Sequence, residues 1–177
     1  MPAGQPVTLP PYVLARATWS RPEQPGSPWV FVTENPSVTT AALGLPAHAP
    51  VRLLCTVGTP SAAELHALAR LAASGWRIAV RADFDPAGLQ HTRAVLDTVP
   101  GACPWRMGAQ DYMASLHPAP LQPTVLEPEQ VAPTPWDPGL ATAMRAQGRP
   151  AYEEALIEEL VEDIRSRCPP DDSWQAS

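Results

Sequence analysis

Three apolar runs in this chain each end in a short polar stretch holding a helix-capping residue directly followed by proline. Val30 to Thr33 leads into Asn35-Pro36, Val51 to Val57 into Thr59-Pro60, and Trp76 to Ala82 into Asp85-Pro86. A capping side chain followed by proline is the favoured N-cap and N1 pair of a helix. Each junction therefore predicts a strand that turns directly into a helix, over roughly 36–43, 60–74 and 86–98. Gly75 fits the position just past the end of the second helix. Strands alternating with helices in this way give a parallel sheet with right-handed crossovers.

The rest of the chain extends that pattern. Cys103 to Met107 predicts a fourth strand, with a helix near 109–116 after it. Residues 117–135 are proline-rich and polar, an extended connection. Asp137-Pro138 opens a helix near 138–147, and another follows over 151–166, with Leu156, Leu160, Val161 and Ile164 on one face and the glutamates facing outward. Residues 1–28 form a lead-in, with a short strand at Val7-Thr8-Leu9 and a weak helix around 11–18. The domain proper spans 29–168, and 169–177 are expected to be a flexible tail.

Composition excludes several chemistries. All twelve Lys and Arg residues are arginine, so there is no phosphate-loop lysine, no Schiff-base lysine and no kinase-type lysine. Gly-x-Ser-x-Gly is absent. The three cysteines, Cys55, Cys103 and Cys168, are far apart, and the four histidines show no ligand spacing. This argues against a structural zinc site or a disulfide framework, and Cys55 reads as a small buried hydrophobe. No run approaches the roughly 18–20 apolar residues of a membrane span, and no signal-peptide pattern opens the chain. A cytoplasmic location is expected. The net charge of −6 argues against tight unaided binding to nucleic acid.

Two of the predicted strands end in acids: Glu34 after the first, Asp83 and Asp85 after the third. For these to meet, the strands must run in the order 2-1-3, which opens a cleft at the switch point between strands one and three. Grouped carboxylates raise one another's pKa unless a cation balances them. Hard oxygen donors with room for water suit Mg²⁺ or Mn²⁺. Each acid also has a plainer reading. Asp85 is a good N-cap for Pro86, Asp83 could pair with Arg81, and Glu34 could be a solvated strand end. Gly88, one turn into the helix, permits close backbone approach. Gly58 and Ser61 precede a helix N-terminus where a phosphate could bind, and an ordinary turn capped by Thr59 fits them equally.

The ordered segments Phe31-Val32-Thr33-Glu34-Asn35-Pro36, Cys55-Thr56-x-Gly58-x-Pro60-Ser61, Asp83-Phe84-Asp85-x-x-Gly88, Pro104-Trp105-Arg106-Met107, Trp136-Asp137-Pro138 and Glu153-Glu154-Ala155 resemble a known family. They are similar to the toprim-like C-terminal domain of bacterial JetD-type proteins of Wadjet plasmid defence. That domain is related to the toprim domain of the topoisomerase VI A subunit, and the likeness covers roughly residues 7–165. It implies a three-layer Rossmann-like α/β fold with a mostly parallel four-stranded sheet. It also implies Mg²⁺- or Mn²⁺-dependent endonuclease cleavage of DNA.

In that reading Glu34 stands near the general acid/base position, Asp83 and Asp85 hold the metal, and Glu154 is a late active-site acid. An exposed helix glutamate is the plainer reading of Glu154. Gly58, Ser61 and Gly88 fall to the phosphates. Relatives usually carry a DNA-contacting region upstream, so the implied partners are DNA, with help from another domain or subunit, and a condensin-like defence complex. A non-catalytic interaction module is the alternative. None of Tyr12, Tyr112 and Tyr152 matches the topoisomerase tyrosine, which argues against a transesterifying topoisomerase.

Overall fold

A computed structural model describes residues 6–22, 28–45, 51–117 and 124–170. Its centre is a wholly parallel four-stranded sheet built from β1 (Trp29–Thr33), β2 (Leu53–Cys55), β3 (Arg77–Val80) and β4 (Cys103–Pro104), in the order β2-β1-β3-β4. Phe31 pairs with Leu53 on one side of β1, Val32 with Val80 on the other, and Ala79 of β3 with Cys103. The α/β class and the 2-1-3 order with an added fourth strand are therefore as expected.

The helices are α1 (Pro11–Arg16), α2 (Pro36–Ala42), α3 (Ala62–Ala73), α4 (Pro86–Thr98), α5 (Ala109–Ser115), α6 (Pro138–Gln147) and α7 (Ile157–Ser166). Strand alternation sorts the core into two layers. Trp29 and Phe31 face α2 and α7, packing with Val38, Trp105, Leu156, Leu160 and Ile164. Val30 and Val32 face α3 and α4, packing with Leu68, Leu71, Val95 and Val99. A third cluster joins Phe84 and Leu89 to α5 and α6 through Tyr112, Leu140 and Met144. Among the described residues no helix is long and apolar enough to cross a membrane.

Several local expectations are corrected. Residues 7–9 form no strand, and α1 ends at Arg16; it packs on α3, where Arg70 Nη1 donates to the Ala15 carbonyl at 2.7 Å. The second crossover helix starts at Ala62, capped by Ser61 rather than Thr59. The Ser61 and Glu64 side chains form a reciprocal capping box there. The connection after α5 contains a 3₁₀ turn at Pro128–Gln130. The last helix opens as a 3₁₀ turn, Glu153–Leu156, and Glu153, expected to face outward, is fully buried. Cys55 is half-buried on the edge strand. Gly75 stands past the end of α3 with φ +98°, as expected. The expected tail from 171 onward, residues 1–5 and 23–27 of the lead-in, and 118–123 of the connection lie outside the described residues.

One polar node ties α7 to the sheet. Trp105, wholly buried against Phe31 at 4.6 Å between ring centroids, donates its indole N–H to Asp163 Oδ2 at 2.7 Å. Arg106 Nη2 donates to Asp163 Oδ1 at 2.9 Å. Removing the carboxylate strands a buried N–H and half of an ion pair. Asp163→Ala is expected to lower stability by about 3 kcal/mol, read as the shift in a urea midpoint at unchanged slope.

Candidate functional site

The carboxyl ends of β1 and β3 bring Glu34 and the Asp83–Asp85 loop side by side. The Asp83 N–H points at Glu34 Oε2, 3.3 Å away. Asp85 caps α4, its Oδ1 accepting from the Gly88 N–H at 2.7 Å, so the capping reading of Asp85 is realised. Asp83 Oδ1 accepts from the Glu153 N–H at 2.7 Å. Each of the three acids is thus fixed through one oxygen by a backbone N–H. Their second oxygens have no hydrogen-bond partner among the described residues.

Gly88 explains how the loop can close so tightly. A Cβ there would lie 2.0 Å from the Asp83 carbonyl oxygen and 2.8 Å from its carbon. Any side chain forces Asp83 to move, and both neighbours in that clash are backbone atoms. Gly88→Ala is expected to cost about 2–3 kcal/mol and to displace the Asp83 carboxylate. A fall in thermal midpoint together with altered amide chemical shifts at Asp83 and Glu153 checks this.

Asn35, read in the sequence only as a helix cap, and Glu153, given no site role there, complete the cluster. Asn35 caps α2 with its side-chain oxygen, accepting from the Ser37 N–H at 3.0 Å. Its own N–H donates to Glu153 Oε2 at 2.6 Å, and its Nδ2 donates to Glu154 Oε1 at 2.7 Å. Glu153 lies beneath the acids with Oε1 buried and unpartnered. Arg81 is also fully buried at the end of β3. It does not take Asp83 as its close partner: Nη1 donates to the Arg106 carbonyl, and the guanidinium lies over the Phe84 ring, 4.9 Å from its centroid.

Burial and mutual repulsion dominate the electrostatics. Desolvation first, then the charges of Glu154 and Asp85, push Asp83 up to about 6 against the Glu153 N–H and Arg81. Glu34 is raised by burial and by Asp83 and Asp85, despite the Asp83 N–H. Glu153 is pushed up to about 8, chiefly by desolvation, with Arg81 and the Asn35 N–H opposing and Asp83 and Glu34 adding to the rise. The cluster is therefore short of positive charge.

Among the described residues no three His, Cys, Asp or Glu side chains are already drawn together as a metal cage. Mg²⁺ does not require one. It keeps several waters and is commonly held by one or two carboxylates together with substrate phosphates. The donor set fits that mode: hard oxygens only, with one unpaired oxygen on each of Glu34, Asp83 and Asp85, and with Glu34 and Asp83 pushed up first by burial. Glu154 is exposed, as its plainer reading has it, yet Asn35 holds it beside the cluster.

The other expected residues lie nearby in different roles. The Gly58 N–H donates to the Glu34 carbonyl at 3.2 Å, so the loop after β2 hangs on the first acid. Gly58 has φ +97° and follows Val57 at φ +52°, a left-handed pair at the rim of the cleft. The Ser61 hydroxyl is engaged with Glu64 in capping α3. Beneath this loop, burial on α4 pushes His91 down to about 4, against the Gly58 backbone.

No curated protein and no solved structure matches the chain. The family model described as "Protein of unknown function C-terminus (DUF2399)" matches residues 7–164.

Proposed function

This chain belongs to the DUF2399 family, and from that premise we propose that it is a toprim-like, divalent-metal-dependent DNA endonuclease domain acting within a larger plasmid-defence assembly. The observation that carries the reading is the meeting of Glu34, Asp83 and Asp85 at the switch point between β1 and β3, each with one oxygen held by the backbone and one unpaired. Open α/β sheets take their ligands at that crevice.

Asp83 and Asp85, with Glu34 beside them, would hold Mg²⁺ or Mn²⁺. The ion would polarise a phosphoryl oxygen and lower the pKa of a bound water. Glu34, raised first by burial and then by Asp83 and Asp85, is placed to accept or return a proton. Gly88 keeps the acid loop against α4, and Gly58 leaves open backbone at the rim. With a net charge of −6, the cationic grip on DNA falls to a partner domain or subunit, for which a condensin-like complex is the proposed source. Titration calorimetry with Mn²⁺ is expected to show binding that Asp83→Ala removes, and a supercoiled plasmid is expected to be nicked in Mg²⁺.

A second reading has its own support. Asp83 clasps the Glu153 segment through its backbone N–H, and the Asn35 N–H holds the Glu153 carboxylate in turn, as they would in a non-catalytic interaction module. Negligible heats with both ions, together with partner capture unaffected by replacing Glu34 and Asp85, would favour it.

A further inference from the structure

A cavity of about 310 Å³ opens beside the acid cluster, with Leu116, Pro150 and Ala155 among its apolar walls and Arg149, Tyr152 and Glu154 among its polar ones. The segment that carries most of these residues is pinned. The Tyr112 hydroxyl donates to the Arg149 carbonyl at 2.7 Å. The Phe84 N–H donates to the Ala151 carbonyl at 2.7 Å, and the Ala151 N–H returns a bond to the Phe84 carbonyl at 3.2 Å. Phe84 is the residue between the two aspartates, and the next bond along is Glu153 N–H to Asp83. Cavity wall and acid loop therefore form one hydrogen-bonded piece, preformed as ligand sites usually are.

The side chains alternate along this extended segment. Ala151 and Glu153 are buried, while Tyr152 and Glu154 face outward, Tyr152 with 42% of its surface exposed. The lining combines the outward Tyr152 ring and Glu154 carboxylate with Arg149 and apolar walls. Aromatic faces stack on nucleobases of any identity. A carboxylate accepts from an exocyclic amino group such as that of cytosine, and Glu154, tethered through Oε1 by Asn35, keeps Oε2 for that purpose. Arginine pairs with phosphate. An acyl chain would use neither Arg149 nor Glu154.

We propose that this cavity receives one unpaired nucleobase of the strand whose phosphate lies at the acid cluster. The substrate is then DNA that presents an unpaired base, whether single-stranded, frayed or flipped out of a supercoiled duplex. The inference rests on the nuclease reading for the identity of the strand. A duplex must first unstack a base, at a cost that a single strand does not incur.

The test uses the full chain, Ca²⁺ in the buffer, and a single-stranded oligonucleotide carrying one 2-aminopurine, alongside the same sequence as duplex. Expected are quenching of the 2-aminopurine on binding and at least about tenfold tighter binding of the single strand. Tyr152→Ala should abolish the quenching and lose about tenfold or more in affinity, while Tyr152→Phe retains both. Because Tyr152 is half outside the core, an unchanged thermal midpoint confirms that the variants are folded. Equal binding by wild type and Tyr152→Ala, or duplex bound as tightly as single strand, overturns the proposal. Calorimetry with Mn²⁺ on the same preparations separates the two readings. Metal binding without any 2-aminopurine response removes the base pocket and leaves the nuclease. Quenching by a chain that neither binds Mn²⁺ nor nicks plasmid keeps the pocket and removes the nuclease.

Discussion

Asp83→Asn is expected to abolish divalent-cation binding and DNA nicking while leaving the metal-free protein at least as stable as wild type at pH 8. An asparagine oxygen can still accept the Glu153 N–H that Asp83 Oδ1 takes at 2.7 Å, so the clasp to the late segment survives. What disappears is the charge. Asp83 is partly buried among Glu34, Asp85 and Glu154, and its pKa of about 6 means that ionisation there is costly in the absence of a cation. A metal ligand contributes several kcal/mol of charge stabilisation in the transition state, so nicking should fall about 10²-fold or more. Calorimetry, a plasmid gel and a thermal melt measure the three effects. Asp85→Asn should act differently, because asparagine caps helices as well as aspartate does; it should keep α4 intact and weaken metal binding only in part. Wild-type nicking by Asp83→Asn would sink the catalytic assignment outright.

Local chemistry accounts for what the sequence disclosed. Asn35-Pro36 and Asp85-Pro86 each cap a helix directly after a strand, so two βα junctions could be read residue by residue. The strand order followed from requiring Glu34 and Asp83 to meet, and the pairing of Val32 with Val80 realises it. The third junction was misplaced by two residues because Thr59-Pro60 imitates a cap. The stronger signal was present: Ser61-Ala62-Ala63-Glu64 is a capping box, two reciprocal bonds against one.

The contact between Glu153 and Asn35 was hidden for a different reason. Their bond spans 118 residues, and no periodicity reports contacts of that length. Helical phase carried back from Leu160 and Ile164 in fact puts Glu153, seven and eleven residues earlier, on the apolar face. The general expectation that glutamates face solvent concealed that signal. Arg81 is concealed by its strand. A central parallel strand is buried on both faces, and alternation gives no clue to which polar residue it will bury.

That buried pair underlies a pH dependence opposite to the usual acid lability. Glu153 ordinarily titrates near 4.5 and in the folded chain near 8; for Asp83 the two values are 3.8 and about 6. Between each pair of values the native state keeps a proton that the unfolded state has released. Since the unfolded chain then binds fewer protons, stability falls as pH rises through the window. Metal-free protein should therefore lose ground from about pH 4 towards pH 8. With Arg81 favouring the ionised state and so limiting the loss, it is on the order of 2–4 kcal/mol, or roughly 5–12 °C in Tm for a chain of this size. Glu153→Gln should flatten most of that slope, because glutamine can accept the Asn35 N–H without ever ionising, and only the smaller Asp83 contribution between pH 4 and 6 should remain. Mg²⁺ should restore Tm at pH 8, where the ligands are deprotonated, and have little effect at pH 5. A Tm that rises from pH 5 to pH 8 without metal would mean that Arg81 and Glu153 exist as a settled ion pair, and the charge-deficient cluster from which the metal site was inferred would lose its physical basis.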